Sequence, residues 1–352
     1  EQPYEEPNDI PYTSICTSRG CYGNCSFCCA NTISKHDGVV MWRGRTVESV
    51  VDEIESVSKK YNLFSFCIMD SSIEDPNKER LDSLCNEIMK RKLNLFFRIE
   101  TRASSYKSTD TKLLKKLYHC GMRFAIVGIE SGSKKMLELY RKKATVNDNK
   151  TCLELFKKNG IFVQPGFIMF NPYTDYSDLE ESAKFLYDSS EAYRWEWLSS
   201  RLSVYYNSEM WHYLKEDNLI IDPDNIVDDH NYYFKNEKMK DICSAINIYR
   251  TNEFDIEFKR SDYLECAASI FCDSSEREQL GLHLINLNRI RQLRGEHNFK
   301  LFMFITDSIR KGLPNESKFI MDKSMLDSLK RINSELLELT NRARANKKTC
   351  AW

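Results

Sequence analysis

The sequence lacks the features that would assign the chain to a membrane, a nucleic acid or an export route. No apolar run in its 352 residues approaches the roughly 20 residues that a membrane-spanning helix needs. Its 51 Lys and Arg side chains are balanced by 52 Asp and Glu side chains, so no global positive field is available to hold a phosphate backbone. We therefore expect neither a membrane nor a nucleic acid as partner. No basic and apolar leader is recognised, and because the chain opens with Glu1 its true N-terminus is treated as unknown.

The sequence contains 13 cysteines, but it lacks the regularly spaced cysteines of a disulfide-stabilised protein. Most lie singly in apolar segments, where a reduced cysteine packs as a small apolar side chain. Together with the missing leader, this pattern predicts a reducing, cytoplasmic location. Four C-terminal cysteines are too far apart in the sequence to indicate an auxiliary iron-sulfur cluster. One of them could instead be a thiol that donates a hydrogen atom, or each could simply be buried in the core. These four are Cys243, Cys266, Cys272 and Cys350.

What the sequence does contain, from residue 12 to about residue 206, is an alternation of short β-type runs with helix-period segments. This alternation is typical of a parallel α/β sheet or barrel built from βα units. A helix is expected after Thr46, with Thr46 as N-cap and apolar residues at helical spacing. The predicted strands are 12–16, 64–69, 95–102, 123–129, 161–170 and 197–206. Beyond residue 207 the alternation fades, and helices are predicted at 276–296, 298–311 and 324–345.

The third predicted strand carries alternating charge. Arg98, Glu100 and Arg102 fall on one face at period two, whereas Phe97 and Ile99 point the other way. In a βα barrel the outward face packs on helices, so the charged face would look into the lumen and imply a polar ligand or an internal ion-pair network. An edge strand with one solvated face would show the same alternation.

Three cysteines are concentrated in the loop after the first strand. Cys21, Cys25 and Cys28 can supply three thiolates to three corners of a cubane iron-sulfur cluster, and Gly20 and Gly23 let the loop wrap closely. The fourth iron would stay open and could chelate an amino and a carboxylate group of a bound molecule. The sequence therefore predicts a four-iron, four-sulfur cluster in this loop.

Two other interpretations of the cysteine loop remain open. A structural zinc site usually needs four protein ligands, and the fourth would come from Cys16, Cys29 or a distant residue such as His36. A chance clustering of cysteines without metal is the other interpretation, although thiols gain no packing in a solvated loop.

The spacing Cys-x-x-x-Cys-x-x-Cys, with Phe27 just before the third cysteine, resembles the signature of the radical S-adenosylmethionine (SAM) superfamily. Further stretches are similar to the branch of that superfamily that often carries an N-terminal cobalamin-binding domain, a domain that we do not recognise here. These stretches are Trp42-Arg43-Gly44-Arg45, Gly128-Ile129-Glu130-Ser131-Gly132-Ser133 and Gly166-Phe167-Ile168-Met169-Phe170-Asn171-Pro172. The resemblance covers residues 10–210.

The resemblance implies a partial (β/α)6 TIM-like barrel of six strands over residues 1–206, with SAM at the carboxyl ends of the strands. A mostly helical region over residues 207–352 would follow and could form a substrate lid. Phe27 would lean towards the adenine, and the segment after strand two would hold the methionine moiety. Further polar residues would contact the ribose and the carboxylate; for one of them, Glu130, a favourable interaction with a helix N-terminus is the alternative. The implied SAM contacts are Phe27, Met69, Asp70, Ser71, Glu100, Arg102, Glu130, Ser131 and Gln164.

The implied activity is reductive cleavage of SAM, followed by hydrogen abstraction from a peptide or small natural product by the 5'-deoxyadenosyl radical. Flavodoxin or ferredoxin would supply the electron, and Arg201 and Tyr205, on one face of strand six, would contact the substrate. Two alternatives are a cobalamin-dependent radical SAM methyltransferase whose cobalamin domain is missing, and a non-catalytic iron-sulfur or zinc protein. Cobalamin is not expected in the chain as given.

Overall fold

The computed structural model describes residues 12–30, 35–36, 39–40, 42–225, 230–250, 252–272, 276–313 and 323–349. Nine strands lie in this part of the chain, and five of them form one parallel sheet in the order β1-β6-β7-β8-β9. The sheet strands are β1 (Thr13–Ile15), β6 (Ser65–Ile68), β7 (Phe96–Arg102), β8 (Met122–Glu130) and β9 (Phe162–Phe167). The other four form two short antiparallel pairs, β2 (Ser18–Arg19) with β5 (Arg43–Gly44) and β3 (Lys35–His36) with β4 (Val39–Val40).

Helices connect the sheet strands and follow them. In the first part of the chain they alternate with the strands, which confirms the α/β fold predicted from the sequence. They are α1 (Val47–Tyr61), α2 (Glu79–Lys90), α3 (Thr111–His119), α4 (Lys134–Leu139), α5 (Val146–Lys158), α6 (Tyr176–Asp188), α7 (Trp195–Leu198), α8 (Glu209–Glu216), α9 (Glu237–Asn247), α10 (Glu253–Phe271), α11 (Arg277–Arg310) and α12 (Lys323–Thr349).

The first helix shows how local sequence sets these elements. Thr46 has an extended backbone and its side chain accepts a hydrogen bond from the Ser49 amide, so α1 begins where the N-cap was predicted. Val50, Val51 and Ile54 form its buried stripe against the sheet. Asn62, with φ of 50°, ends the helix in the left-handed conformation that asparagine tolerates.

The charged face of β7 is interior. β7 is the central strand of the sheet, so the edge-strand interpretation of its alternation is wrong. Phe97 and Ile99 pack into the helix-covered core, whereas Arg98, Glu100 and Arg102 lie on the other, inner face. The carboxyl ends of the parallel strands therefore carry polar side chains on the concave side.

At the amino ends of the strands the same inner face is apolar and covered. The rings of Phe124 and Phe162 lie 5.0 Å apart, centroid to centroid, and Phe96 and Phe64 belong to the same buried cluster. Phe271, on α10, contacts the Phe64 ring at 4.7 Å. We call this set of phenylalanines, Phe64, Phe96, Phe124 and Phe162, the aromatic floor. Helix α10 covers the aromatic floor, so this helix lies at the end of the sheet opposite to the predicted SAM site.

The sixth predicted strand, 197–206, is not formed, and this expectation is wrong. The described chain has the short helix α7 there, followed by one parallel bridge between Phe170 and Arg201. The cause is Asp255 on α10, whose carboxylate accepts hydrogen bonds from the Trp195 and Glu196 amides at 2.9 and 3.0 Å. These bonds satisfy the first amides of α7 and so stabilise a helical turn at the start of the predicted strand.

The C-terminal helices also differ from the expectation. The predicted helices 276–296 and 298–311 are one continuous helix, α11. The polar residues that suggested a break near residue 297 are instead a contact with residues 192–193. Asn298 is fully buried and donates to the Ala192 and Tyr193 carbonyls, and Gly295 lies against the same two residues. Helix α10 was not predicted, because consecutive buried residues, Cys266 to Ala268, leave it without a single apolar stripe.

The division of the chain at residue 206 stays a prediction. Helix α9 contributes Met239, Ile242 and Ile246 to the same core as the βα units, so apolar packing crosses that boundary. Within the described ranges, no helix combines the length and the apolar character that crossing a bilayer requires.

Two glycines provide a test of this packing. A Cβ added at Gly132, between β8 and α4, would overlap the Phe185 Cβ and lie 2.9 Å from the Glu181 carbonyl oxygen of α6. Gly132→Ala should therefore lower the free energy of unfolding by about 1–3 kcal/mol. Gly281→Ala is the matched control: no atom lies within 4 Å of its added Cβ, and alanine should stabilise α11 by about 0.5–1 kcal/mol. Denaturant titration measures both, and equal effects would contradict the close approach at Gly132.

Candidate active site

The cysteine loop begins where β2 ends and is anchored at its root by one buried carboxylate. Both oxygens of Asp70 are used: Oδ1 accepts from the Thr17 amide at 2.7 Å, and Oδ2 accepts from the Thr17 and Ser18 hydroxyls at 2.5 and 2.7 Å. Asp70 is 1% exposed. Its carboxylate therefore fixes the start of the loop at the end of β6.

The far side of the loop is anchored by backbone hydrogen bonds to Ser26. Its amide donates to the Tyr140 carbonyl at 3.0 Å, its hydroxyl donates to the Leu139 carbonyl at 2.8 Å, and its carbonyl accepts from the Met210 amide at 2.8 Å. The Tyr140 side chain is fully buried and its hydroxyl accepts from Asn171 at 2.7 Å. The end of α4 and the start of α8 thus hold the second half of the loop.

The three predicted ligands lie together in this loop. Cys21 is buried, whereas Cys25 and Cys28 are partly exposed. Burial raises the pKa of the Cys25 thiol, with the nearby cations Lys142 and Arg102 opposing the rise, and burial raises the pKa of Cys28 to about 11. Each thiol must therefore release a proton as it binds a metal.

The arrangement suits separate iron atoms better than a single ion. Over the described ranges, no three side chains of the His, Cys, Asp or Glu type converge as single-ion ligands. A cubane cluster needs no such convergence, because each thiolate binds its own corner iron. Cys16 is exposed at the end of β1, and the side chain of His36 lies outside the described residues.

A buried arginine lies against the first cysteine. Arg102, at the end of β7, is 6% exposed and its Nη1 is 3.6 Å from the Cys21 Sγ. The ring of Tyr22 covers its guanidinium at 5.3 Å. A Cβ at Gly23 would overlap the guanidinium, so the loop can pass over Arg102 only because residue 23 is glycine.

A buried ion pair lies beside the second cysteine. The Lys142 ammonium, in a side chain 5% exposed, contacts the Glu130 carboxylate at 3.0 Å. Glu130 ends β8 with φ of 67°, a left-handed conformation that is uncommon and costly for a residue with a Cβ. The Ile168 amide donates to its carbonyl at 2.8 Å, which supports this conformation.

Two glycines lie beside these charges. Arg102, Gly128 and Gly166 are in lateral register across β7, β8 and β9, so two of the three positions carry no side chain. A Cβ at Gly128 would lie 2.7 Å from a Glu130 oxygen and 2.8 Å from the Lys142 ammonium. The next row towards the amino ends contains the half-buried side chains of Glu100 and Gln164.

Sequence reasoning missed a second buried carboxylate, Glu74, which is 0% exposed. It accepts hydrogen bonds from the Ser105 hydroxyl at 2.5 Å, the Thr101 hydroxyl at 2.7 Å and the Tyr22 hydroxyl at 3.2 Å. Burial, and then the Glu74 charge, raise the pKa of Tyr22. Glu74 therefore ties the middle of the cysteine loop to the end of β7.

The other predicted SAM contacts lie in different surroundings. Met69 and Ser71 are exposed, on either side of the buried Asp70. The Ser131 hydroxyl is fully buried and contacts the Ser182 hydroxyl on α6 at 3.1 Å. Phe27 is half-buried and its ring meets the Tyr140 ring edge-on at 5.4 Å. Asp70 and Ser131 thus hold other parts of the chain through their hydrogen bonds.

The predicted substrate contacts do not share a strand face, because strand six is absent. Arg201 lies at the bridge to Phe170 with its guanidinium 5.2 Å from the Tyr232 ring, and Tyr205 is 45% exposed. The dispersed cysteines Cys243, Cys266 and Cys272 are buried singly in apolar clusters, and Cys350 lies outside the described residues.

Comparison with known proteins places the site in context. Residues 15–186 match the family model described as the radical SAM superfamily. The chain is 30% identical over 173 residues to anaerobic magnesium-protoporphyrin IX monomethyl ester cyclase of Rubrivivax gelatinosus, an alignment that covers 49% of this chain and 30% of that protein. It is 30% identical over 190 residues to 4'-phospho-dehydrooxetanocin synthase of Priestia megaterium, covering 48% and 25% respectively. The chain thus spans less than a third of the length of these two relatives.

A solved structure shares the fold. The cobalamin-dependent S-adenosylmethionine radical enzyme OxsB, with aqua-cobalamin and S-adenosylmethionine bound, superposes with a TM-score of 0.58 at 17% identity. The alignment covers 96% of this chain and 55% of that one, so the shared fold extends over the C-terminal helices as well as the sheet.

The anchoring role of Asp70 leads to a stability test. Asp70→Asn should lower the free energy of unfolding by about 2–3 kcal/mol, because hydrogen bonds to a charged group contribute about 1.5–3 kcal/mol and a carboxamide offers one accepting oxygen. Asp188→Asn is the control, since this exposed aspartate pairs with Lys184 on the surface of α6 and should change stability by less than about 0.5 kcal/mol. Urea unfolding compares the two, and a similar small effect for both would show that Asp70 does not anchor the loop.

Proposed function

Because residues 15–186 match the radical SAM family model, we propose that the chain is an enzyme that cleaves SAM reductively at a four-iron, four-sulfur cluster held by Cys21, Cys25 and Cys28. The main supporting observation is the position of the three thiols: they lie in one doubly anchored loop whose first cysteine contacts Arg102, which is in lateral register with Gly128 and Gly166. These positions are at the carboxyl ends of parallel strands, where barrel enzymes bind their ligands.

The residues present fit the cluster. Three thiols offer three corner ligands, and the buried cations Arg102 and Lys142 offset the charge of their thiolates. When bound and reduced, the cluster supplies one electron to the sulfonium of SAM, which yields methionine and a 5'-deoxyadenosyl radical. The chain's own part is to hold SAM at the open corner, to position a substrate C–H bond beside it and to exclude water.

For SAM itself we propose contacts from the predicted residues near this edge of the sheet. Glu100 and Gln164 lie in one lateral row, and Glu130 is aimed there by its left-handed backbone. Phe27 would contact the adenine from the loop, and the exposed segment at Met69 and Ser71 would face the methionine moiety. Arg201 and Tyr205 remain proposals for the substrate, which we take to be a peptide or a small natural product, with a flavodoxin or ferredoxin as reductant.

The ligand assignment is tested by two cysteine variants. After anaerobic reconstitution, Cys25→Ala should lose the iron-sulfur absorbance and all 5'-deoxyadenosine formation from SAM and dithionite, because a cubane cannot be held by two thiolates at a catalytic site. Cys29→Ala, a neighbouring cysteine outside the spacing, should keep both. Dependence on Cys29 with indifference to Cys28 would overturn the assignment. A loaded cluster that never cleaves SAM would instead favour a non-catalytic iron-sulfur protein.

A second candidate is cobalamin-dependent radical SAM chemistry. The observation that favours it is the shared fold with a cobalamin-dependent enzyme over 96% of this chain, which spans only 55% of that enzyme. In this case a cobalamin-binding partner or segment would supply the second cofactor, and methyl transfer would be one outcome.

Cofactor addition separates the two candidates. We expect the 352-residue chain, incubated with hydroxocobalamin and passed over a desalting column, to retain no cobalamin and to cleave SAM without it. Stoichiometric retention of cobalamin, together with transfer of a deuterated methyl group from SAM to a substrate by mass spectrometry, would favour the second candidate.

A further inference from the structure

A buried positive charge without a carboxylate partner lies next to the cysteine loop. Arg102 is 6% exposed, and in the described part of the chain no Asp or Glu forms an ion pair with it. Its Nε has no hydrogen-bond partner, and its Nη2 reaches the Ser104 hydroxyl at 3.5 Å, the limit for a weak bond. Glu74, the nearest carboxylate network, accepts from the backbone amide of Arg102 and not from its guanidinium.

The groups that do surround the Arg102 guanidinium belong to the cysteine loop. Nη1 lies 3.6 Å from the Cys21 Sγ, so a metal-bound thiolate at Cys21 would lie next to the guanidinium. Tyr22 covers one side of the guanidinium and Gly23 leaves room for it. Three consecutive loop residues are thus shaped around this cation.

Lys142 is a second cation on the other side of the loop. It is paired with Glu130, yet the effect of its charge on the Cys25 thiol exceeds that of the Glu130 charge. Gly128 gives this ammonium its place, as Gly23 does for Arg102.

Physical chemistry requires a counter-charge for such a site. A buried cation is costly unless it is paired, because it loses its hydration. A cubane core with two positive charges and three thiolates carries one net negative charge, and one added electron brings it to two. Cations held at the cluster stabilise its reduced form, which carries the greater negative charge. Net charge and hydrogen bonds to the sulfur atoms are among the factors that set the reduction potential of a cluster.

We propose that Arg102, assisted by Lys142, is the counter-ion of the iron-sulfur cluster and raises its reduction potential. Arg102 is then a positioning and electrostatic residue for the cluster, not a contact to the ribose or carboxylate of SAM as the family resemblance implied. This inference rests on the proposed cluster, and it assigns the buried charge at the end of β7 to the cluster's thiolates.

The first test is the cluster's midpoint potential without SAM. Reconstituted wild type, Arg102→Met and Arg102→Lys are titrated with dithionite and mediators, and the reduced cluster is followed by electron paramagnetic resonance. One electron passes from dithionite to each cluster. At a given solution potential, the ratio of reduced to oxidised cluster should be about tenfold lower in Arg102→Met than in wild type. This corresponds to a midpoint potential about 59 mV lower for a one-electron couple. Arg102→Lys should recover most of the loss, and the exposed Arg43→Met should change nothing.

The second test uses the metal-free protein, in which Arg102 has no full counter-charge. Arg102→Met should then unfold at the same temperature as wild type or higher, because the substitution removes an unpaired buried cation. A packing role alone, with the guanidinium stacked on Tyr22, would give a lower unfolding temperature and an unchanged midpoint potential. An Arg102→Met chain that cannot fold without metal would therefore count against the proposal.

The outcomes separate this inference from the function on which it rests. If wild type takes up no cluster or forms no 5'-deoxyadenosine, the proposed function fails. If wild type does both and Arg102→Met keeps the wild-type potential, the inference alone fails. If that variant keeps the potential but binds SAM several-fold more weakly, Arg102 is a SAM contact, and the assignment to the cluster is overturned.

Discussion

The candidate site depends on how one loop without regular structure is held in place. Buried carboxylates fix its first half: Asp70 accepts three hydrogen bonds from Thr17 and Ser18, and Glu74 accepts one from Tyr22. Backbone bonds to Ser26 fix its second half. Asp70 and Glu74 both follow β6, whereas Ser26 is held by the end of α4 and the start of α8, so different parts of the fold hold the two halves of the loop. The polar groups at the anchors thus form hydrogen bonds with one another, and these bonds offset the free-energy cost of burying them.

Much of the fold could be predicted because it depends on local patterns. The helix after Thr46 and the parallel strands follow from capping, periodicity and alternation, all of which are read within a few residues. The absence of the sixth strand and the continuity of α11 through residue 297 could not be predicted, because Asp255 and Asn298 act on segments that are distant in sequence. Helix α10 was missed for a related reason: burial around most of its circumference removes the periodic signal.

In the candidate site, too, local features could be predicted from the sequence and features that depend on distant residues could not. The spacing of Cys21, Cys25 and Cys28 is a local signal, so the ligands could be named from the sequence. The roles of the charged residues could not, because pattern and resemblance indicate only that a polar side chain lies near a strand end. The structure separates them by their partners: Asp70 and Ser131 bind the chain itself, whereas Arg102 and Lys142 lie against the thiols. Glu74 had no sequence signal of its own, since its partners come from the loop, from β7 and from the turn that follows β7.

The aromatic floor bears on how the chain can be divided. Phe64, Phe96, Phe124 and Phe162 come from the sheet, but their cover comes from α10, well beyond residue 206. A fragment ending at residue 206 would keep every proposed cluster ligand and yet expose the buried rings of Phe64, Phe96 and Phe124 to water, at a cost of up to about 1.5–3 kcal/mol for each ring. We therefore expect truncation at residue 206 to leave an apolar surface that favours aggregation.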